Sequence, residues 1–144
     1  MEEETGGEKK GNESVKYEPI AEDVDRVARE VVDAAFKVHA ALGPGLVEEV
    51  YEACLCHELH RRGLKFRSQV SLPVVYEGVK LKAGVRLDLL VEDKVIVEIK
   101  AVERMTPLFK AQLLTYLKLT GLRLGLLINF NVPLIRDGIN RLIR

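Results

Sequence analysis

Seventeen residues, Val85 to Ala101, constrain this chain more than any other stretch. They read V-R-L-D-L-L-V, then E-D-K, then V-I-V-E-I-K-A, with aliphatic and polar residues alternating on both sides of a short polar break. That is the pattern of two β-strands joined by a tight turn. With Glu92-Asp93-Lys94 as the loop, Val91 faces Val95, Leu89 faces Val97, Asp88 faces Glu98 and Arg86 faces Lys100. A two-residue loop would set Asp88 against Val97 and mix the two faces. A slip of one residue turns every side chain over, so the pattern selects the three-residue loop. One face then carries Val85, Leu87, Leu89, Val91, Val95, Val97 and Ile99. The other carries Arg86, Asp88, Leu90, Ile96, Glu98 and Lys100.

This register opposes two carboxylates whose Cα atoms stand about 4.5 to 5.5 Å apart. Two like charges about 5 Å apart at an effective dielectric near 20 repel by roughly 3 kcal/mol, and opposed like charges destabilise a sheet. Two remedies are open. A hard divalent cation takes oxygen from one or two carboxylates and leaves its other positions to water and phosphate. Alternatively, Arg86 and Lys100 pair with the acids as a solvated charged face.

The chain of 144 residues suits a single domain, expected over 20–144, behind a flexible acidic tail at 1–19 that is too poor in apolar residues to order itself. Formal net charge is zero. The first eighteen residues hold six acids against Lys9, Lys10 and Lys16, so the remainder carries a small positive excess, mildly favourable to a polyanion. Cys54 and Cys56 lie two apart in a helical pattern and point in different directions. This argues against a disulfide between them or a metal site made of cysteines alone. No apolar run reaches the length of a membrane span and no signal peptide is evident, so a cytoplasmic protein is expected.

From Ala21 the positions Val24, Val27, Ala28, Val31, Ala34, Ala35, Val38 and Leu42 follow helical spacing, behind an acidic first turn at Glu22 and Asp23. Gly43-Pro44-Gly45 breaks the pattern, and His39 near the end is read as capping or packing the helix, with a direct catalytic role as the alternative. A second helix is expected from Gly45 or Leu46 to about Arg62, with Gly63 as its stop. On it Glu48, Tyr51 and Glu52 share a face, whereas Glu49 and Glu58 read as solvated acids. Glu48 alone also fits an acid that the macrodipole favours in a first turn. Phe66 to Tyr76 reads as a strand, with Pro73 marking an edge or a bulge. Glu77-Gly78 turns into a short strand at Val79 to Leu81, and Gly84 marks a kink. Thr106 as N-cap and Pro107 at the first position start a helix that runs to Thr120 and stops at Gly121. Gln112 and Tyr116 lie four apart there, so their polar tips converge. Leu124 to Phe130 is an apolar run fitting an inner strand. Ile135 to Arg144 reads either as a short helix or as a closing edge strand.

In this order the chain resembles the PD-(D/E)XK nuclease superfamily. The fold class implied is α/β with a mixed sheet, a restriction-endonuclease-like α-β-β-β-α-β core with an extra N-terminal helix. Gly45-x-x-Glu48-x-x-Tyr51 looks like the signature of the small GxxExxY family within it. The likeness extends through Arg86-Leu87-Asp88-Leu89-Leu90-Val91, Glu98-Ile99-Lys100-Ala101, Gln112-Leu113-Leu114-Thr115-Tyr116-Leu117 and Leu127-Ile128-Asn129-Phe130-Asn131-Val132-Pro133. It implies that Asp88 and Glu98 bind metal, that Glu48 is the helix-borne acid ligating the metal directly or through water, and that Lys100 is the active-site lysine. Gln112 and Tyr116 are similar to a motif that helps hold substrate and site. Two departures stand out: Leu87 precedes Asp88 in place of proline, and Phe109-Lys110 stands where His-Glu is expected.

What the resemblance implies is a nuclease using Mg²⁺ or Mn²⁺ on nucleic acid, DNA ahead of RNA. The metal would polarise the phosphoryl group and lower the pKa of a bound water. Lys100, two residues beyond Glu98, would position that water or stabilise the oxyanion. Arg61, Arg62, Lys65, Arg67, Lys80, Lys82 and Arg86 are the bases available to a nucleic-acid backbone. The near-neutral charge and small size also suit a different class, a catalytically weak binding or adaptor module of the same fold acting in a complex. The apolar content permits a homodimer without requiring one.

Overall fold

The computed structural model describes residues 18 to 144, so the expected tail falls, up to residue 17, outside the described residues. Helix α1 spans Glu22–Leu42 and helix α2 Glu48–Arg61. Strands β1 (Phe66–Tyr76), β2 (Val79–Val91) and β3 (Val95–Lys100) follow, then helix α3 (Pro107–Thr120) and strand β4 (Leu124–Asn129). A 3-10 turn at Ile135–Gly138 leads into strand β5 (Ile139–Ile143). The five strands lie in chain order across one sheet. All neighbours are antiparallel except β3 and β4, which run parallel and are joined by α3, the crossover such a pair requires. This is the mixed-sheet α/β architecture expected, with α1 as the extra helix.

The central hairpin has the expected register, pairing Val91 with Val95, Leu90 with Ile96 and Leu89 with Val97. Its loop turns through Glu92 and Asp93, both at positive φ (55° and 54°), and Lys94 N donates to Val91 O at 2.9 Å. Leu89, Val91, Val95, Val97 and Ile99 form one core with Val31, Ala34 and Ala35 of α1 and Tyr51, Leu55 and Leu59 of α2. The small side chains of α1 let it lie close against its neighbours. Each large aliphatic in this core contributes roughly 1.5 to 3 kcal/mol. The opposite face is not the solvated surface its polar members suggest. Leu90 and Ile96 form a second core with Leu113 and Leu117 of α3. Leu87 joins this second core instead of the first. The reason lies in the backbone: the β2–β3 ladder ends at Leu89 and Val97, and the two strands part beyond it.

Other elements refine the sequence reading. Pro73 sits on an edge strand and at a bulge, since the β1–β2 register shifts between Pro73 and Val75. Strand β2 runs from Val79, and its pairing with β1 shifts between Lys80 and Gly84, so the expected irregularity lies beside Gly84. A Cβ there would collide with the Leu72 carbonyl oxygen, and glycine is what lets the two strands approach. Helix α2 begins at Glu48, three residues later than Gly45. Thr106 occupies the N-cap of α3 but its side chain makes no capping bond. Gly121 ends that helix in the left-handed conformation, φ 76°. Glu58 is buried and lies within 3.4 Å of Lys37 Nζ and 3.3 Å of Arg61, so it is a paired acid under α2 and not a solvated one. The last stretch combines both expected forms, a short 3-10 turn followed by an edge strand. No described helix is long and apolar enough to cross a membrane.

Candidate active site

Where β2 and β3 part, two side chains take over from the backbone. Asp88 N donates to Glu98 Oε2 at 2.9 Å, and Ile99 N donates to Asp88 Oδ2 at 2.8 Å. Each carboxylate thus satisfies an amide that a regular ladder would have paired. Asp88 Oδ1 and Glu98 Oε1 accept no hydrogen bond among the described residues. No fully buried side-chain oxygen there lacks a partner, so both remaining oxygens reach solvent. Glu98 is only 7% exposed. Burial, followed by the charge of Asp88, pushes its carboxyl up to about 8, against the opposing pull of the Asp88 amide and Lys100. Lys100 does not offset the burial and the charge of Asp88.

Lys100 lies on the same strand, half-buried, with its Nζ 4.5 Å from the centroid of the Phe109 ring. An ammonium over an aromatic face is held by the ring quadrupole, so the departure at Phe109 supplies a platform for the lysine. Tyr116 on α3 is half-buried, and its hydroxyl is raised above its ordinary value by burial and then by the charges of Glu98 and Asp88. Gln112 lies one turn earlier on the same helix, also half-buried. Asp88, Glu98, Lys100 and Tyr116 therefore come together, with Gln112 beside them along α3.

Glu48 is placed differently. It is the first residue of α2 and exposed. The acid that faces the carboxylate pair is Glu52, one turn deeper. Its carboxyl is raised by burial, against a bond from Gln69, and further by the charges of Asp88 and Glu48. Glu52 also acts on Glu98. Gln69 Nε2 donates to both Glu52 oxygens at 3.0 Å. Gln69 holds φ 53° and is the one position missing from the β1–β2 pairing between Ser68 and Val70. A non-glycine residue in this region is strained, typically by about 1 to 2 kcal/mol, and such strain concentrates at functional sites. Glu52 was legible as a neighbour of Glu48 on one helical face; the inverted backbone of Gln69 leaves no sequence signal. Among the described residues no group of three or more His, Cys, Asp or Glu side chains gathers closely enough to cage a metal. Two carboxylates with solvent-facing oxygens nonetheless fit a hard cation that keeps water and phosphate as its other ligands.

A clasp of residues fixes this mouth. Asn129 Oδ1 accepts from Val102 N at 3.1 Å and Asn131 N at 3.1 Å, while its Nδ2 donates to Val102 O at 3.0 Å. Phe130 N donates to Lys100 O at 2.9 Å, and its ring stacks on Tyr51 with centroids 4.6 Å apart. Asn131 Oδ1 accepts from Gly45 N, and His39 Nε2 meets Val132 O at 2.8 Å. His39 is thus a packing residue, as one of the sequence readings had it. Tyr51 donates its hydroxyl to Gly43 O at 2.6 Å and accepts from Leu46 N at 3.1 Å. The tyrosine of the G-x-x-E-x-x-Y pattern ties down the loop that begins the pattern. Tyr51→Phe keeps the stack and loses both bonds, so urea denaturation is expected to show a loss of about 1 to 2 kcal/mol. Tyr51→Ala also loses the buried ring, and about 3 to 5 kcal/mol is expected.

A family model described as the PD-(D/E)XK nuclease superfamily matches residues 25–142. No curated protein and no solved structure matches the chain. The matched residues run from the first turn of α1 into β5 and include the parted strands with Asp88, Glu98 and Lys100, and on this match the chain belongs to the PD-(D/E)XK nuclease superfamily.

Proposed function

We propose that the protein is a divalent-metal-dependent nuclease of the GxxExxY type, hydrolysing phosphodiester bonds in DNA with Mg²⁺ or Mn²⁺ held by Asp88 and Glu98. The observation that carries this reading is the carboxylate pair at the strand parting. Each acid spends one oxygen on a backbone amide and turns the other to solvent, and Lys100 alone does not offset the burial of Glu98 beside Asp88. A bound divalent ion would supply Lewis-acid activation of the phosphoryl group and of a water.

The residues of the chain do the positioning. Lys100, steadied over Phe109, would donate an ammonium N–H to the attacking water or the developing oxyanion. Tyr116 and Gln112 offer hydrogen bonds to a phosphate. Glu52, aligned by Gln69, stands as the helix-borne acid behind the pair, and Glu48 contributes at the rim through water. One chain furnishes all of these groups, so a second copy is not needed to complete the set.

Calorimetric titration with Mn²⁺ is expected to show binding that Asp88→Ala removes. Cleavage of single- and double-stranded DNA and of RNA in Mn²⁺ is expected to require Glu98 and Lys100, with DNA preferred. Cleavage that survives Glu98→Gln and Lys100→Ala would sink the assignment. Mn²⁺ binding without cleavage of any nucleic acid would favour the binding-module reading instead.

A further inference from the structure

The β1–β2 hairpin outruns the rest of the sheet. Strand β2 has 13 residues and its other neighbour, β3, only 6. Beyond the parting at Asp88, no ladder joins β2 to β3, and β2 pairs with β1 alone. From Phe66 to Arg86 this ribbon holds four bases, Arg67, Lys80, Lys82 and Arg86, against one acid, Glu77. Arg67 is bound to Asp93 at 3.0 Å, as Arg61 and Arg62 are bound to Glu58 and Glu30. Lys80, Lys82 and Arg86 are exposed and form no ion pair among the described residues.

Their spacing is what matters. Lys80, Lys82 and Arg86 follow one another along β2 toward Asp88, and all three line one open cleft. At a rise of at most about 3.4 Å per residue, Lys80 and Arg86 stand no more than about 20 Å apart along the strand. An open cleft of about 480 Å³ runs along this ribbon, lined by Lys80, Lys82, Gly84 and Arg86. Arg86 also lines a second cleft, of about 540 Å³, with Glu52 and Gln69. One arginine therefore joins the ribbon to the acidic mouth.

We propose that the overhanging β1–β2 ribbon is a nucleic-acid backbone track, in which Lys80, Lys82 and Arg86 hold successive phosphates and lead the strand to Asp88. The inference rests on the nuclease reading and adds where the polymer lies. A two-stranded ribbon is also an element of the right size for the major groove of a duplex, so the track accepts a single strand or one strand of a duplex through the same phosphate chemistry.

Fluorescence anisotropy in EDTA, with labelled single-stranded and duplex DNA across a salt series, tests the track with no chemistry taking place. Each phosphate contact contributes about 0.7 to the salt slope on a single strand and about 0.9 on a duplex. The triple variant Lys80→Ala, Lys82→Ala, Arg86→Ala is expected to flatten that slope by about 2 to 3 and to weaken binding about 10-fold or more at moderate salt. Lys80→Glu with Lys82→Glu is expected to weaken it further. Lys118→Ala with Arg136→Ala, exposed bases elsewhere, are expected to leave the slope alone. Circular dichroism checks the fold of each variant, and because the changed residues are exposed, a second set with glutamine in place of alanine guards against misfolding. A slope and affinity indifferent to the three bases would overturn the track, even if Glu98-dependent cleavage upholds hydrolysis. Binding that follows the three bases in a chain that cleaves nothing would uphold the track and sink the hydrolytic reading.

Discussion

Replacing Glu98 with glutamine is expected to make the metal-free protein more stable at pH 8 while removing its affinity for Mn²⁺. The buried carboxyl, raised from 4.5 to about 8, keeps a proton in the folded chain over a pH range where the unfolded chain has released it. The folded state therefore binds more protons between about pH 4.5 and 8, and stability falls as pH rises through that window and levels off above it. At about 1.36 kcal/mol per pH unit, the span is on the order of a few kcal/mol. Glutamine has the same shape, retains an oxygen for the Asp88 amide and carries no charge, so the variant escapes this loss. Thermal melts in EDTA at pH 5, 6.5 and 8 are expected to show the wild-type chain losing stability with pH and Glu98→Gln holding level. Calorimetry is expected to show Mn²⁺ affinity reduced 100-fold or more, since loss of groups merely supporting a ligand already costs 10- to 100-fold. In the wild-type chain Mn²⁺ binding below pH 8 is expected to release a proton, visible as a buffer-dependent heat. A variant that loses stability between pH 5 and pH 8 as steeply as the wild type would contradict the assignment of the raised carboxyl to Glu98.

Asn129→Ala is expected to be the most damaging single truncation outside the hydrophobic cores, at about 4 kcal/mol. The side chain is 3% exposed and serves three backbone groups: Val102 N, Val102 O and Asn131 N. Each group left unpaired away from water costs roughly 1 to 3 kcal/mol, and the missing amide leaves a void as well. Urea titration is expected to lower the midpoint without changing the slope, because the surface exposed on unfolding is nearly the same. Asn129→Asp keeps both acceptor bonds and loses only the donor to Val102 O, so a smaller loss is expected at low pH, growing as the acid ionises. Since Val102 follows Lys100 by two residues and Phe130 N holds Lys100 O, the damage extends to Lys100, the proposed active-site lysine.

The sequence was most informative where a single local rule decides. The alternation around Glu92-Asp93-Lys94 gave the hairpin register, since a slip of one residue would put Val91 and Val95 on opposite faces. Thr106-Pro107 and Gly121 bounded α3, and Pro73 announced both an edge and a bulge. What stayed hidden depends on neighbours distant in the chain. The ladder stops after Leu89 because Asp88 and Glu98 side chains replace its bonds, and alternation says nothing about such a replacement. Glu58 looked solvated because its cation Lys37 comes from another helix. The displacement from Glu48 to Glu52 has a similar origin: Tyr51 pins Gly43 and Leu46 in a loop, so α2 starts late and Glu48 falls at its outer end.

The overhang of β2 also sets up a gradient of local opening along one strand. At the Leu89–Val91 end both neighbours are paired and both faces are covered, so amide exchange there requires something close to global unfolding. At the Val79 end a single partner and exposed side chains remain, and exchange is expected through fraying. Asp88 lies at the boundary between the two regimes. A polymer that settles on the ribbon would slow exchange from Lys80 toward Arg86, and the step in protection would move along β2 toward its tip.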